Sequence, residues 1–253
     1  MKTAWITPTY LRPRTLANLI ACFLAQDYPP ELLDLIILDD AGQYGPSCRG
    51  DRWQVISIDR RFHSLPAKFN ALAGLTDADA IIVAEDDDSF LSHHTAAHVA
   101  ALQRGEFSKP STVLTDCPGH IITERSDGRF HGSIAFRRSL WERCGGWPVV
   151  HAANFDQQML RHFEAHAGGI TDPNDNRGPS YVFRWHTGHY HGQSMADSPT
   201  DQNWYAQAAR LFPQDRIESI TPKFDALTES MYAVFNARES VEPNAGLAIP
   251  RRS

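Results

Sequence analysis

The segment AIIVAEDDD, residues 80–88, is an apolar run that ends in four consecutive acids. Five small or branched apolar residues in a row are typical of a strand that is covered on both faces, as in a parallel sheet. The acids then follow the carboxyl end of that strand, which is the edge where open α/β sheets bind ligands. Adjacent like charges repel unless a cation or dense solvation compensates them. The segment therefore predicts a divalent-metal site that holds a diphosphate, with a solvated acidic loop or helix start as the alternative.

Length and composition describe an ordinary globular chain. Its 253 residues, 42% of them hydrophobic, suffice for one large α/β domain or two small ones. The sequence contains no run of 18 apolar residues, and its four cysteines form no C-x-x-C pair. Its first residues predict a strand rather than the apolar segment of a secretory leader. We therefore expect a cytoplasmic protein with reduced cysteines and without a membrane span. A net charge of −6 argues against nucleic acid as a partner, although a local basic patch would oppose the total.

The first third of the chain alternates strand and helix patterns. Short apolar runs predict strands at residues 5–7, 35–38, 55–58 and 80–84. Helical spacing of apolar residues predicts helices over residues 16–24 and 65–75. An order of strand, helix and strand implies right-handed crossovers, so we predict a mostly parallel central sheet with helices on both faces. The second strand also ends in acids, Asp39 and Asp40, which places two acidic strand ends at one edge.

Beyond residue 88 the pattern mixes short strands with helices. We predict helices at residues 92–104, 138–144 and 154–166, and strands at residues 112–115, 121–123, 133–136 and 181–185. Phe155, Met159 and Phe163 share one face of the last helix. Turn-forming residues over 168–180 predict a surface loop. The segment from 239 to 253 is expected to be a flexible tail.

These fragments, in this order, resemble a GT-A glycosyltransferase of the family 2 type. The residues that carry the resemblance are PTYLRP at 8–13, LAQDYP at 24–29, the acids at 39–40 and 86–88, IAFRR at 134–138, GGW at 145–147 and Asp156. The glycines of a dinucleotide-binding or P-loop fold are absent from the sequence. The resemblance implies an α/β GT-A fold in a single domain over residues 1–253. Its nucleotide-binding half would cover about residues 1–90, and its acceptor-side half about residues 91–215.

The resemblance also implies a function, which is transfer of a sugar from a nucleoside-diphosphate sugar to an acceptor hydroxyl. Pro8, Thr9 and Tyr10 would line the nucleobase and ribose pocket, and Asp40 would accept a hydrogen bond from the base. A turn with a core aromatic ring is the structural alternative. The further donor contacts implied by the resemblance are Arg12, Lys68, Asn70, Asp86 and Asp87. A lysine on the helix surface is the alternative for Lys68.

The D-x-D metal motif of the resembled family maps onto residues 86–88. Asp88 is the expected direct ligand, Asp86 is a second candidate ligand, and Mn²⁺ or Mg²⁺ is the expected cofactor. The metal would act as a Lewis acid on the departing diphosphate. Some GT-A enzymes use a late histidine as an additional ligand, which makes His189 and His191 candidates. The alternative interpretation assigns these histidines to a polar loop on the acceptor side.

An inverting transfer needs one general base that takes the proton of the acceptor hydroxyl. The resemblance implies that this base is Asp156, at the start of the helix after the Gly-Gly-aromatic turn. Phe155 precedes it, where the family frequently has a glutamate. The alternative is a carboxylate that only complements the helix dipole. The acceptor is expected to be a glycan, a lipid-linked saccharide or another molecule with a hydroxyl group.

Three other functions compete with this prediction. A nucleotidyltransferase that makes the nucleotide sugar would carry a Gly-rich loop after the first strand, whereas residues 8–14 contain no glycine. A non-catalytic nucleotide-sugar or glycan-binding module of the same fold would be expected to lose the acids, which are present. A metal-dependent hydrolase would need an H-E-x-x-H spacing that the sequence lacks. Sugar transfer is therefore the favoured prediction.

Overall fold

The computed structural model describes residues 1–45, 47–117, 120–149, 154–175, 177–184 and 215–239. The strands within these ranges are β1 (Thr3–Thr9), β2 (Leu33–Asp39), β3 (Arg49–Gly50), β4 (Trp53–Ser57), β5 (Ala80–Val83), β6 (Ser89–Phe90), β7 (Phe107–Ser108), β8 (Thr112–Cys117), β9 (His120–Arg125), β10 (Ala135–Arg137), β11 (Ile170–Thr171) and β12 (Tyr181–Arg184). The helices are α1 (Pro13–Leu24), α2 (Leu65–Gly74), α3 (His94–Leu102), α4 (Arg138–Cys144), α5 (Phe155–His166) and α6 (Ala226–Glu239).

An eight-stranded sheet has the strand order β11-β7-β10-β5-β1-β2-β4-β3. The strands at its middle, β5, β1, β2 and β4, run parallel to one another. β10 runs antiparallel to both β5 and β7. The predicted mostly parallel sheet is confirmed, and β1, β2 and β5 bring their carboxyl ends to one edge.

Helices cover both faces of this sheet because its central strands are apolar on both sides. Trp5 of β1 packs on one face, with its ring centre 5.7 Å from that of Phe23 in α1. Its neighbour Ile6 packs on the opposite face, in a core that includes Phe69 of α2 and Phe163 of α5. All of these side chains are fully buried. Alternate residues of one strand thus hold helices on opposite faces, as predicted.

A second sheet has the strand order β6-β12-β8-β9. β12 pairs antiparallel with β6 and parallel with β8. The sequence predicts β8, β9 and β12 separately but not β6, because two residues are too short to show a hydrophobic period. β11 likewise lies inside the predicted loop at 168–180, where Ile170 and Thr171 pair with β7. The second sheet matters for the site because β6 directly follows the acids at 85–88.

The later helices complete the two cores. Met159 and Phe163 of α5 are fully buried and Phe155 packs against the same core, so the predicted apolar face of this helix is confirmed. Sequence analysis did not predict α6, where the Tyr232 hydroxyl donates to the carbonyl oxygen of Phe90 at 2.7 Å. In the described parts of the chain, no helix has the length and apolar character that a membrane crossing requires. The predicted tail beyond Glu239 lies outside the described residues.

Candidate functional site

Residues that follow β1, β2 and β5 gather at the carboxyl edge of the central sheet. β1 is parallel to both β2 and β5, so the three strands end side by side. Asp40 follows β2, and the acids at 85–88 come after β5. Asp40, Asp86, Asp87 and Asp88 are all less than 5% exposed. Carboxylates are seldom buried without partners, so each must be balanced within the site.

Three acids form a group at this edge, which we call the acid group: Glu85, Asp87 and Asp88. Each offers a carboxylate oxygen, and these oxygens lie within 4.8 Å of one another. Both oxygens of Asp88 accept hydrogen bonds from β12, one from the Tyr181 hydroxyl at 2.6 Å and one from the Arg184 N–H at 3.2 Å. Burial, followed by the charges of Asp87 and Glu85, raises the pKa of Asp88 well above its usual range. The charged form of Asp88 is therefore costly unless a cation balances it.

Arg12 is the cation that approaches the acids from β1. Leu11 has a positive φ of 56°, an uncommon conformation for a residue with a side chain, immediately before Arg12. The Arg12 Nη1 lies 2.6 Å from an oxygen of Asp86 and 2.8 Å from an oxygen of Asp87. The Thr9 hydroxyl donates to the other oxygen of Asp86 at 2.6 Å. Burial raises the pKa of Asp86 to about 6 although Arg12 opposes the shift.

The structure separates Asp86 from the acid group. Its oxygens bond to Thr9 and Arg12, whereas the N–H of Asp88 approaches the carbonyl oxygen of Glu85 at 3.4 Å and closes a turn. This turn brings residue 85 beside residue 88. The structure therefore groups Glu85, rather than Asp86, with Asp87 and Asp88. The metal-ligand role of Asp86 drawn from the D-x-D motif stays a prediction.

The predicted nucleobase residues lie together around Asp40. Its carboxylate accepts bonds from the Lys68 Nζ at 2.6 Å and the Arg61 Nη1 at 2.7 Å. Lys68 also donates to the carbonyl oxygen of Thr9 at 2.7 Å, and burial lowers its pKa although Asp40 opposes the shift. The Arg61 guanidinium lies over the Tyr10 ring, 3.7 Å from its centre. Tyr10, Asp40 and Lys68 thus form one cluster, in which Lys68 is buried rather than on the helix surface.

Pro8 and Asp39 support this cluster from the strands. Pro8 is buried within β1 and lies opposite Leu38 of β2. Asp39 ends β2, and its Oδ2 accepts bonds from both the Gln43 N–H at 2.8 Å and the Ser57 hydroxyl at 2.7 Å. Asp39 therefore stabilises the loop after β2, while Asp40 faces the cluster.

Asn70 holds the Gly-Gly-Trp turn. Its side-chain oxygen accepts the Trp147 N–H at 2.9 Å, and its side-chain nitrogen donates to the Trp147 carbonyl oxygen at 2.9 Å. Gly146 has a φ of 77°, and a Cβ there would collide with the Asn70 oxygen. The turn therefore requires glycine at this position. Asn70 thus forms hydrogen bonds with this turn. The contact with the sugar donor predicted for Asn70 stays a prediction.

Asp156 lies in the first turn of α5 and is partly exposed. Its Oδ1 accepts the N–H of Gln157 at 2.7 Å. The ring centre of the preceding Phe155 lies 5.7 Å from that of His131. His131 is in turn hydrogen-bonded to Glu85, with 3.1 Å between Nδ1 and Oε1. A single buried side chain thus links the start of α5 to the acid group.

Sequence analysis missed three residues of this site: Glu85, Arg61 and His131. The aspartates at 86–88 matched the motif, and only the turn at these residues reveals that Glu85 comes next to Asp88. His131 lies 46 residues from Glu85, and no local pattern connects them. The histidines predicted as metal ligands, His189 and His191, lie outside the described residues.

The acid group suits a hard divalent cation. Carboxylate oxygens are the preferred ligands of Mg²⁺ and common ligands of Mn²⁺. The described donors to Asp88 are neutral, a hydroxyl and a backbone N–H, and burial makes its charge costly. A bound cation would offset this cost, so the donor set fits such a metal.

Known proteins resemble this chain in fold but not in sequence. No protein-family model matches the chain, and no curated protein matches it significantly. The structure of TarS 1–349 from S. aureus in complex with UDP-GlcNAc superposes with a TM-score of 0.62, at 14% identity over 83% of this chain and 65% of that one. The mannosyltransferase PcManGT from Pyrobaculum calidifontis, in complex with GDP-Man and Mn²⁺, has a TM-score of 0.55 at 15% identity, over 96% of this chain and 81% of that one.

These similarities show the fold. Together with the central sheet and its flanking helices, they confirm the predicted GT-A fold, the fold of glycosyltransferases that use nucleotide sugars. The chain spans 61% and 65% of the length of two TarS 1–349 structures, 73% of a third, and 39% of a longer TarS structure.

Proposed function

We propose that the protein is a glycosyltransferase, which moves a sugar from a nucleoside-diphosphate sugar to an acceptor hydroxyl. The observation that carries this proposal is the acid group at the carboxyl edge of β5, beside Arg12, in the GT-A fold. Solved examples of that fold hold UDP-GlcNAc, or GDP-Man with Mn²⁺, which supports a nucleoside-diphosphate sugar as the donor class.

The donor would lie across the ends of β2, β1 and β5. Tyr10 and Asp40 would receive the base, with Arg61 and Lys68 as the charged walls of that pocket. Pro8 and Thr9 would shape its floor, and Arg12 with Asp86 would lie between base and diphosphate. This arrangement assigns residues 1–90 to the donor and about residues 91–215 to the acceptor side.

The metal would be held by Glu85, Asp87 and Asp88, and Mn²⁺ or Mg²⁺ fits these oxygen ligands. When bound, it supplies positive charge where the departing diphosphate becomes more negative. Asp88 would be the most firmly fixed ligand because Tyr181 and Arg184 hold both of its oxygens.

Asp156 would act as the general base of an inverting transfer. The acceptor oxygen attacks the anomeric carbon while Asp156 takes the hydroxyl proton, and the bond from that carbon to the diphosphate oxygen breaks on the opposite face. The nucleoside diphosphate leaves with the bonding electrons. The acceptor classes are a glycan, a lipid-linked saccharide or another hydroxyl-bearing molecule.

A thermal-shift panel tests the donor site. UDP, GDP and dTDP are each added to the full chain with and without Mn²⁺, and the melting temperature Tm is measured. We expect one nucleotide to raise Tm far more with Mn²⁺ than without it, because a ligand at 100 times its Kd stabilises by about 2.7 kcal/mol. If no nucleotide raises Tm in the presence of Mn²⁺, the donor-site proposal is wrong.

A further inference from the structure

His131 has one defined hydrogen-bonding arrangement. The Trp147 indole Nε1 lies 2.8 Å from its Nε2, and the Glu85 Oε1 lies 3.1 Å from its Nδ1. An indole N–H can only donate, so Nε2 must be the accepting nitrogen. The neutral ring then carries its proton on Nδ1 and donates it to Glu85. Trp147 thus selects the tautomer that Glu85 requires, and we call this chain of three residues the relay.

The backbone around His131 is fitted to the acids. Phe130 has φ 64° and ψ 67°, a left-handed conformation that is unfavourable for a residue with a side chain. A Cβ on Gly132 would lie 3.2 Å from an oxygen of Asp88 and 3.2 Å from the Cγ of Glu85. The Ser133 hydroxyl donates to the carbonyl oxygen of Phe130 at 2.7 Å and fixes the turn. This turn therefore approaches both acids closely.

Aromatic rings from three elements enclose His131. Phe69 of α2 lies 4.7 Å away between ring centres, and Phe155 of α5 lies 5.7 Å away, both edge to face. Trp147 stacks on Phe69 at 5.2 Å. The His131 side chain is 2% exposed, whereas that of Glu85 is 25% exposed. The ring is therefore rigidly held, and Glu85 is the relay member that reaches toward solvent.

Glu85 needs such a donor because Asp87 and Asp88 repel it. The three carboxylates have oxygens within 4.8 Å of one another, and their repulsion favours rotation of the most exposed one, Glu85, toward water. The Nδ1–H of His131 opposes that rotation without adding a net charge. Phe155, which packs on the same ring, directly precedes Asp156. The position of the acid group and the start of α5 thus depend on one side chain.

We propose that His131 is a positioning residue of the candidate site. It holds Glu85 in the acid group through its Nδ1–H, in the tautomer that Trp147 imposes, and it seats the start of α5 against the same ring. This inference rests on the proposed function, because it concerns the group that would hold the metal.

Direct Mn²⁺ binding to the nucleotide-free full chain, measured by calorimetry, tests the proposal. His131→Leu keeps an apolar side chain in the ring cluster but removes the donor, and its Mn²⁺ affinity should fall about 10- to 100-fold. His131→Asn can place an amide N–H near the Nδ1 position, so its affinity should stay within about threefold of wild type. His162→Leu is the matched control, because that histidine bonds to the Cys144 carbonyl oxygen and not to an acid. Unchanged affinity in His131→Leu overturns the proposal.

Nitrogen NMR of the histidine rings gives a second readout that does not need the metal. The signal that disappears in His131→Asn belongs to His131, and in wild type it should report a proton on Nδ1 and none on Nε2. Trp147→Phe keeps an aromatic ring but removes the indole N–H, so the fraction of His131 that carries its proton on Nε2 should rise, although Glu85 still favours the proton on Nδ1. His131→Asn and Trp147→Phe together test the relay even if His131→Leu does not fold.

The two readouts separate this inference from the proposed function. If wild type binds neither Mn²⁺ nor any nucleoside diphosphate, the proposed function is wrong, while the tautomer measurement still tests the relay. If wild-type His131 carries its proton on Nε2, the relay is wrong whatever the protein binds.

Discussion

Asp86 and Asp88 have different surroundings although one residue separates them. Asp86 bonds to Thr9 and Arg12 and stabilises the connection between β1 and β5. Asp88 belongs to the acid group, and its described partners are neutral donors of β12. Ionisation of Asp88 is therefore costly in the absence of a cation, whereas the charge of Asp86 has one nearby.

Two isosteric substitutions distinguish these roles. Asp88→Asn removes a costly buried charge, so without metal its Tm should equal or exceed that of wild type, and the Tm increase caused by Mn²⁺ should disappear. Asp86→Asn should retain the response to Mn²⁺ but melt at a lower temperature, because Arg12 loses a charged partner. Thermal melts of both variants with and without Mn²⁺ measure this. The reverse pattern, with the metal response lost only in Asp86→Asn, would support Asp86 as a metal ligand, as the D-x-D motif predicts.

Individual residues of the site could be predicted only where they lie in a local motif. Tyr10, Asp40 and Asp88 follow strands that the sequence reveals, and the structure gathers them at one sheet edge. Glu85 and His131 could not be selected in this way, because a turn and a 46-residue separation determine their contact. The roles predicted for the site residues stay predictions until binding is measured.

Helix α3 carries two buried histidines within one turn of each other. The Nδ1 of His94 lies 2.8 Å from the Ser180 hydroxyl, and the Nδ1 of His98 lies 2.8 Å from the Ser108 hydroxyl. Their ring centres are 4.5 Å apart. Burial, together with the charge that each neighbouring histidine would carry, lowers the pKa of His94 well below its usual range, and burial lowers the pKa of His98 to about 3. Both rings are therefore neutral in the folded protein at neutral pH.

These histidines make folding sensitive to acid. An unfolded histidine binds a proton below about pH 6.5, whereas folded His98 binds one only near pH 3. Between these values the unfolded state holds more protons, so the stability contributed by His98 is full above pH 6.5 and falls as the pH is lowered. Asp86, whose pKa is raised to about 6, binds its proton more tightly in the folded state, so its contribution to stability rises as the pH falls from about 6 to 4. This contribution offsets part of the loss of stability that the histidines cause.

His98→Asn isolates the contribution of this histidine. Asparagine can still bond to Ser108 but does not titrate, so the free energy of unfolding of wild type relative to the variant should decrease by about 1.4 kcal/mol for each pH unit between pH 6 and pH 4. Urea unfolding at several pH values measures both proteins. A constant difference across this range would show that His98 is already protonated in the fold or is not buried.

Most of the longer elements before residue 185 were predictable from sequence, whereas the two-residue strands were not. α1, α2 and α5 each carry a helical apolar face, and their predicted positions are confirmed within about three residues. β6, β7 and β11 have two residues each, and their existence depends on pairing with strands remote in sequence. A two-residue strand has no hydrophobic period, so only the assembled sheet defines it.

The whole molecule brings the two predicted halves to one edge. The end of β5 supplies the acid group, β12 holds Asp88, and Phe155, which directly precedes Asp156 in α5, packs on His131 beside Glu85. The fold class could be predicted from the order of strand and helix patterns, because local periodicity and right-handed crossovers leave few arrangements. The division into halves is a prediction that no separate observation tests.

Turnover of a nucleotide sugar tests the central claim, which is that the protein is a glycosyltransferase. This reaction requires the donor side and the acceptor side of the site at once. Full-length protein is incubated with Mn²⁺ and a panel of UDP- and GDP-sugars, and release of the nucleoside diphosphate is measured, with water in place of the unidentified acceptor. Glu164, another acid of α5, pairs with Lys109 outside the acid group, so Glu164→Gln is the control. We expect wild type and this control to release nucleotide from one donor. Asp156→Asn should be slower by about two to four orders of magnitude while its nucleotide affinity is unchanged. The absence of release from every donor, or release by Asp156→Asn at the wild-type rate, would contradict this account.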